Sequence, residues 1–264
     1  MKNIMITGAS SGIGRALALA NASAGNTLLV MGRNAERLAK VAATITDKGA
    51  TCEQGLVDIQ DEAALRNSIQ TFDAAHAIDL AFINAGIFDG RKEGQDLEGL
   101  ETSLRVLDTN LKGALHTVYA VLPGMRARGS GHIVFVASLA GLTPLGGALG
   151  YSASKSAMVA YALGLKQVLH GTGIKVTAVC PGFIETPLAD QHLGWQPFKM
   201  SADKAAQKIM RGIASNRAIV AFPFALHLLA RPSIIAPDII RRAVGNLFSC
   251  SASSDASNPG TGKV

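Results

Sequence analysis

The chain has 264 residues, 48% hydrophobic and 17% charged, which is enough apolar material for one large core and excludes a disordered chain. Its three cysteines, Cys52, Cys180 and Cys250, share no paired spacing, which argues against a disulfide framework or a zinc site and suits a reducing, cytoplasmic setting. The formal net charge is +6, and residues 199–264 hold nine basic side chains against three acidic ones. That excess reads as a solvated helix face, with an anionic membrane surface or an acidic substrate as the alternatives and no nucleic-acid partner expected.

In chain order, Asn3–Thr7 reads as a strand with no leader-like region before it. It runs through Gly8-Ala9-Ser10-Ser11-Gly12-Ile13-Gly14 into a helix over Gly12–Ser23. Gly8 permits a tight turn, Gly12 a close approach of backbone to an anion, and Gly14 close helix–strand packing. The helix start aims free N–H groups at that anion, so a dinucleotide pyrophosphate is expected here, with Ser10 and Ser11 as further donors. A second strand, Thr27–Met31, ends in Gly32-Arg33-Asn34. No acid stands there to hold two ribose hydroxyls, whereas the fork of Arg33 suits a 2′-phosphate; NADP(H) is preferred, with NAD(H) as the alternative.

Beyond it come a helix over Asn34–Lys48, a strand over Thr51–Val57, a helix over Asp61–Ala75 and a strand over Leu80–Asn84. One long helix is expected at Gly99–Arg128, then a strand at His132–Ala137, a helix at Tyr151–Leu169 and a strand at Lys175–Cys180. Ser201 caps an amphipathic helix over Ser201–Ser215, with Lys204, Lys208 and Arg211 on one face and Ala205, Ile209 and Ile213 on another. A seventh strand follows at Ala218–Phe222. Continuous apolar runs suit strands buried on both faces, and strict alternation implies α/β architecture: a parallel sheet of about seven strands with helices on both sides. Residues 1–248 form one domain, and the Ser/Gly/Asn-rich 249–264 are expected to be a disordered tail. The apolar stretch Ala218–Ala230 is too short to span a membrane and reads as core, interface or substrate lid.

Tyr151 and Lys155 stand four residues apart, on one face of their helix. A cation at that distance favours phenolate and lowers the tyrosine pKa, as an acid/base near neutral pH requires. Ser138 follows the His132–Ala137 strand, at the sheet edge where open α/β folds place their sites, and its hydroxyl can donate to a carbonyl oxygen. Phe88, Leu139–Gly150, Phe183 and the Pro187–Met200 loop supply Leu142, Leu145, Leu149, Leu188, Trp195 and Phe198 around these groups. They predict an apolar pocket, with core or dimer contacts as the alternative. His192, in the same loop, reads as a solvated histidine, with contact to the substrate as the alternative.

Over residues 3–190 the chain resembles the short-chain dehydrogenase/reductase family in its single-domain form. Thr7 through Gly14 match that family's cofactor loop, and Asp58 with Ile59 its adenine contact. Asn84-Ala85-Gly86 match its sheet-stabilising motif, with Ile83 where an Asn is common, and Pro181-Gly182 match its Pro-Gly step. Asn110, Ser138, Tyr151 and Lys155 match its active-site tetrad. The resemblance implies a doubly wound, three-layer Rossmann fold and hydride exchange between nicotinamide and a carbonyl/alcohol pair. It implies Tyr151 as the proton donor or acceptor, Lys155 as the holder of the nicotinamide ribose, and Ser138 as the group polarising the carbonyl. It gives Asn110 a main-chain carbonyl that holds a relay water, and places Ile184 and Thr186 against the carboxamide. It also implies a homodimer or homotetramer built on the two long helices. A non-catalytic nucleotide sensor or scaffold, and a lipid reductase at a membrane surface, are the competing readings.

Overall fold

A computed structural model describes residues 1–226, 228, 237, 239, 248 and 250–253. Its strands and helices alternate as β1 (Asn3–Thr7), α1 (Gly12–Asn21), β2 (Thr27–Gly32), α2 (Ala35–Asp47), β3 (Thr51–Leu56), α3 (Glu62–His76) and β4 (Leu80–Ile83). There follow α4 (Leu100–Leu107), α5 (Gly113–Arg128), β5 (Gly131–Val136), α6 (Leu149–Val168) and β6 (Ile174–Pro181). Short strands β7 (Ile184–Glu185), β8 (His192–Gly194) and β9 (Met200–Ser201) precede α7 (Ala202–Ala214), β10 (Ile219–Phe222) and β11 (Cys250–Ala252).

Seven strands form one sheet in the order β10-β6-β5-β4-β1-β2-β3, and every pairing in it is parallel. This is the doubly wound arrangement expected from the alternation. The apolar runs are continuous because successive side chains enter different cores. Met5 and Phe135 pack with Leu65, Phe72, Val118 and Met158 of α3, α5 and α6. Ile4, Ile6 and Val134 pack with Leu17, Leu38 and Ile209 of α1, α2 and α7. The edge strand β3 departs furthest from the pattern: Thr51, Glu53, Gln54 and Leu56 are exposed.

Two expectations are corrected. The single helix over Gly99–Arg128 is interrupted by a π segment, Asp108–Lys112, between α4 and α5. The tail expected from residue 249 includes a strand, because Cys250–Ala252 pairs antiparallel with β8; residues 254–264 lie outside the described set, as do Arg231, Arg241, Arg242 and Lys263 of the basic quarter. The amphipathic helix appears as expected, with Lys204, Lys208 and Arg211 exposed and Ala205 and Ile209 buried. Ser201 caps it by accepting from Lys204 N. Among the described residues, no helix is long and apolar enough to cross a membrane.

Candidate active site

The glycine loop sits where the strand order reverses, between β1 and β4. Thr7 Oγ1 accepts from Asn84 N (3.0 Å) and Ala85 N (3.1 Å), while Asn84 Nδ2 donates to Thr7 O (2.9 Å) and Gly8 O (3.2 Å). Asn84 therefore ties the end of β4 to the loop after β1. Gly8 and Gly12 have φ of 67° and 54°, a region that favours glycine. A Cβ at Gly14 would lie 2.2 Å from the Gly8 carbonyl oxygen, so the predicted close packing is literal. Ser11 caps α1 without a side-chain hydrogen bond, which leaves the first-turn N–H groups without a capping side chain, as an anion cradle requires.

A cavity of about 610 Å³ opens along this edge of the sheet. Its β2–β3 end is lined by Arg33, Arg37, Asp58 and Ile59, its middle by Ser10, Ser11, Gly12, Ile13, Asn84, Ala85 and Gly86, and its β5–β6 end by Ser138, Tyr151, Lys155, Pro181, Gly182, Ile184 and Thr186. Gly8 lines it as well, whereas Gly14 and Asn110 do not. Arg33 Nη1 pairs with Asp58 Oδ2 at 3.0 Å. Sequence reasoning missed Arg37. It stands in the first turn of α2, which Asn34 caps by accepting from Arg37 N (2.8 Å), and its Nε is buried with no hydrogen-bonding partner among the described residues. The signal was the spacing: Arg33 and Arg37 flank the cap of α2.

Ser138 Oγ accepts from Ala140 N at 3.1 Å, so its own proton stays available to donate. It also hydrogen-bonds Tyr151. Burial pushes the Tyr151 hydroxyl up to about 12 against the pull of that bond. The depression expected from Lys155 does not appear: its Nζ stands 5.7 Å from the ring centroid and donates to Val136 O at 3.1 Å. Lys155 is itself pulled down to about 8, first by burial. Asn110 is fully buried in the π segment. Its Oδ1 accepts from Ile87 N (2.7 Å), and its Nδ2 donates to Ile87 O (2.9 Å) and Ser154 Oγ (3.2 Å). The side chain is a strut between the loop after β4 and α6, the helix that carries Tyr151 and Lys155.

Beyond Tyr151 the cavity turns apolar. Phe88, Leu139, Leu145, Phe183 and Leu188 line it as expected, joined by Leu226 and Phe248 from the C-terminal segment. Trp195 and Phe198 do not: both are exposed, and Trp195 stacks on Phe248 at 5.9 Å. Leu142 packs against the core and Leu149 is exposed. His192, expected in solvent, is 6% exposed and lines the cavity, because its ring packs against Phe88 and Phe183.

Residues 2–196 match the family model described as short chain dehydrogenase. The chain is 35% identical over 238 residues to an uncharacterized oxidoreductase of Myxococcus xanthus, covering 90% of this chain and 93% of that protein. It is 32% identical over 184 residues to an NADP-dependent 3-hydroxy acid dehydrogenase of Salmonella typhi, covering 69% of this chain and 72% of that one. A solved short-chain dehydrogenase from Sphingobium yanoikuyae in complex with NADPH superimposes with a TM-score of 0.76 at 26% identity, over 97% of this chain and 99% of that one.

Proposed function

The chain belongs to the short-chain dehydrogenase family of oxidoreductases, and within it we propose an NADP(H)-dependent enzyme that interconverts an apolar carbonyl compound and its alcohol, with Tyr151 as the acid/base. One observation carries this reading: a single cavity joins the arginines after β2, the glycine loop, and the Ser138–Tyr151–Lys155 cluster.

The residues present fit a dinucleotide. Gly8 and Gly12 hold positive φ beside uncapped first-turn N–H groups, a cradle for pyrophosphate lined by Ser10, Ser11 and Ile13. Asp58 and Ile59 would take the adenine, Asn84 to Gly86 the middle of the molecule, Lys155 the nicotinamide ribose, and Pro181, Gly182, Ile184 and Thr186 the carboxamide end. The buried, unpartnered Nε of Arg37 and the fork of Arg33 suit a 2′-phosphate. The NADP dependence of the Salmonella relative supports the same choice. When bound, the nicotinamide supplies or takes up the hydride.

The chain's own groups handle the proton. A Tyr151 hydroxyl held at about 12 keeps its proton at neutral pH, the state from which a carbonyl reduction draws. Ser138, with its acceptor side used by Ala140 N, donates to the carbonyl oxygen and polarises it. In the reverse direction Tyr151 accepts the alcohol proton. Exposed Tyr119 on α5 and Val168 on α6 are the faces through which we expect a homodimer or homotetramer to form.

A screen of NADPH and NADH oxidation over aldehydes and ketones tests the reading. Tyr151→Phe should lower kcat by roughly 10²–10⁴-fold, and Arg33→Ala should move the NADPH/NADH preference at least about tenfold toward NADH. Undiminished turnover in the first variant removes the mechanism, and an unmoved preference in the second removes the cofactor assignment.

A further inference from the structure

His192 is a cavity-lining side chain at the substrate end whose polarity the described residues leave unused. It is 6% exposed, lines the cavity, and neither Nδ1 nor Nε2 has a hydrogen-bonding partner among the described residues. Its ring is wedged between Phe88 (centroids 5.5 Å apart) and Phe183 (5.1 Å). Phe88 in turn meets the Tyr151 ring edge-on at 5.0 Å, so the imidazole stands one aromatic ring away from the proposed proton donor. Its backbone is fixed: His192 pairs with Ala252 in the β8–β11 ladder, and its carbonyl accepts from Gln196 Nε2 at 2.9 Å. A polar ring held rigidly among apolar ones, without an internal partner, leaves its hydrogen-bonding capacity to whatever fills the cavity.

We propose that His192 is a specificity-determining residue: it hydrogen-bonds a second, uncharged polar group of the substrate, an ester, amide or hydroxyl oxygen a few bonds from the reacting carbonyl. The inference rests on the oxidoreductase reading above and names the substrate class for that same site. A neutral polar group is favoured over a carboxylate for two reasons. The imidazole lies between the rings of Phe88 and Phe183, and an anion beside them would lose its hydration without a cation in return. Burial also draws the pKa of His192 down, so the ring is neutral at pH 7, with one N–H to donate and one nitrogen to accept.

The test compares two neutral ketones of equal chain length, ethyl acetoacetate and 2-heptanone, which differ in the ester group, together with the anion acetoacetate. With NADPH, the wild type should favour ethyl acetoacetate over 2-heptanone in kcat/KM by about ten- to a hundredfold, and should favour it over acetoacetate. In His192→Phe, which keeps an aromatic ring between Phe88 and Phe183, the ester-over-ketone ratio should fall to near one. His192→Gln should retain part of it, and His192→Leu should repeat the Phe result if the larger ring does not fit. A wild-type ratio near one, a ratio that survives both apolar variants, or a preference for acetoacetate overturns the proposal while leaving the enzyme assignment intact. A wild type that reduces none of the three with either cofactor overturns the functional reading and this proposal with it.

Discussion

Lys155→Met removes a buried ammonium that has no carboxylate beside it among the described residues. Nζ donates to Val136 O at 3.1 Å and approaches Met158 Sδ at 3.7 Å. Cys180, the ionisable group whose charge would act on it, is pushed up to about 12 by burial and carries no charge near pH 7. The unfolded lysine holds its proton to about 10.5 and the folded one only to about 8. Between these values the unfolded chain binds more protons, so stability rises with pH across that window. Below it both states are protonated and the full penalty applies, roughly 3 kcal/mol for such a drop. Losing the bond to Val136 O returns about 1 kcal/mol. The variant should therefore be about 2 kcal/mol more stable than the wild type at pH 7, with the gain vanishing as pH approaches 10. Urea unfolding at pH 7, 9 and 10 measures this. Turnover should fall at least about a hundredfold in the same protein, so stability and activity move in opposite directions at one residue. A variant less stable than the wild type at pH 7, or a gain unchanged between pH 7 and 10, refutes the account of Lys155 as a buried, uncompensated charge.

Two further substitutions separate the halves of the cavity. Gly14→Ala places a Cβ 2.2 Å from Gly8 O and 2.5 Å from Asn84 Nδ2. It should cost about 2–4 kcal/mol of stability and weaken NADPH binding, read by denaturation and by fluorescence titration of the cofactor. Asp89 is fully buried and pairs with Lys92 (2.7 Å) and with Arg105. Asp89→Asn should lower stability by about 2 kcal/mol and raise KM for the ketone, while the same titration finds NADPH affinity unchanged within about twofold.

What the sequence could show was set by range. The run Ile4-Met5-Ile6 announces a strand buried on both faces because each side chain meets its own core. Glycines at Gly8, Gly12 and Gly14 announce a backbone that something must approach. The cap of α6 could not be read this way. Ala148 stands at the cap position with no side-chain bond. The carboxylate of Glu98 reaches across from the loop before α4 to accept from Leu149 N and from Gly150 N (3.1 Å). The π segment was hidden for a different reason: one residue out of helical phase leaves the apolar period almost intact while redirecting Asn110 toward Ile87. The pKa of Tyr151 was misjudged because a neighbour four residues away is visible in the sequence, whereas the desolvation around it is not.

The same limit of range explains His192. A histidine in a loop between Gln191 and Leu193 looks solvated, whereas Phe88 and Phe183 pack on its ring and a strand nearly 60 residues later fixes its backbone. That strand is anchored to the rest of the substrate end. Ala252 N donates to Arg91 O (2.8 Å), Lys92 Nζ to Ser253 O (2.8 Å), and Arg91 N to Gly147 O (2.8 Å). Gly147 has no room for a Cβ, which would lie 1.8 Å from Cys250 O. The cofactor end is built from strand ends and a short glycine loop, each of which is legible within a few residues of sequence. The substrate end is built from three distant loops and β11, held by the buried charge of Asp89 on Lys92 and Arg105. Changes in the C-terminal segment therefore reach the apolar end of the cavity directly at Leu226 and Phe248, and through β8 at His192.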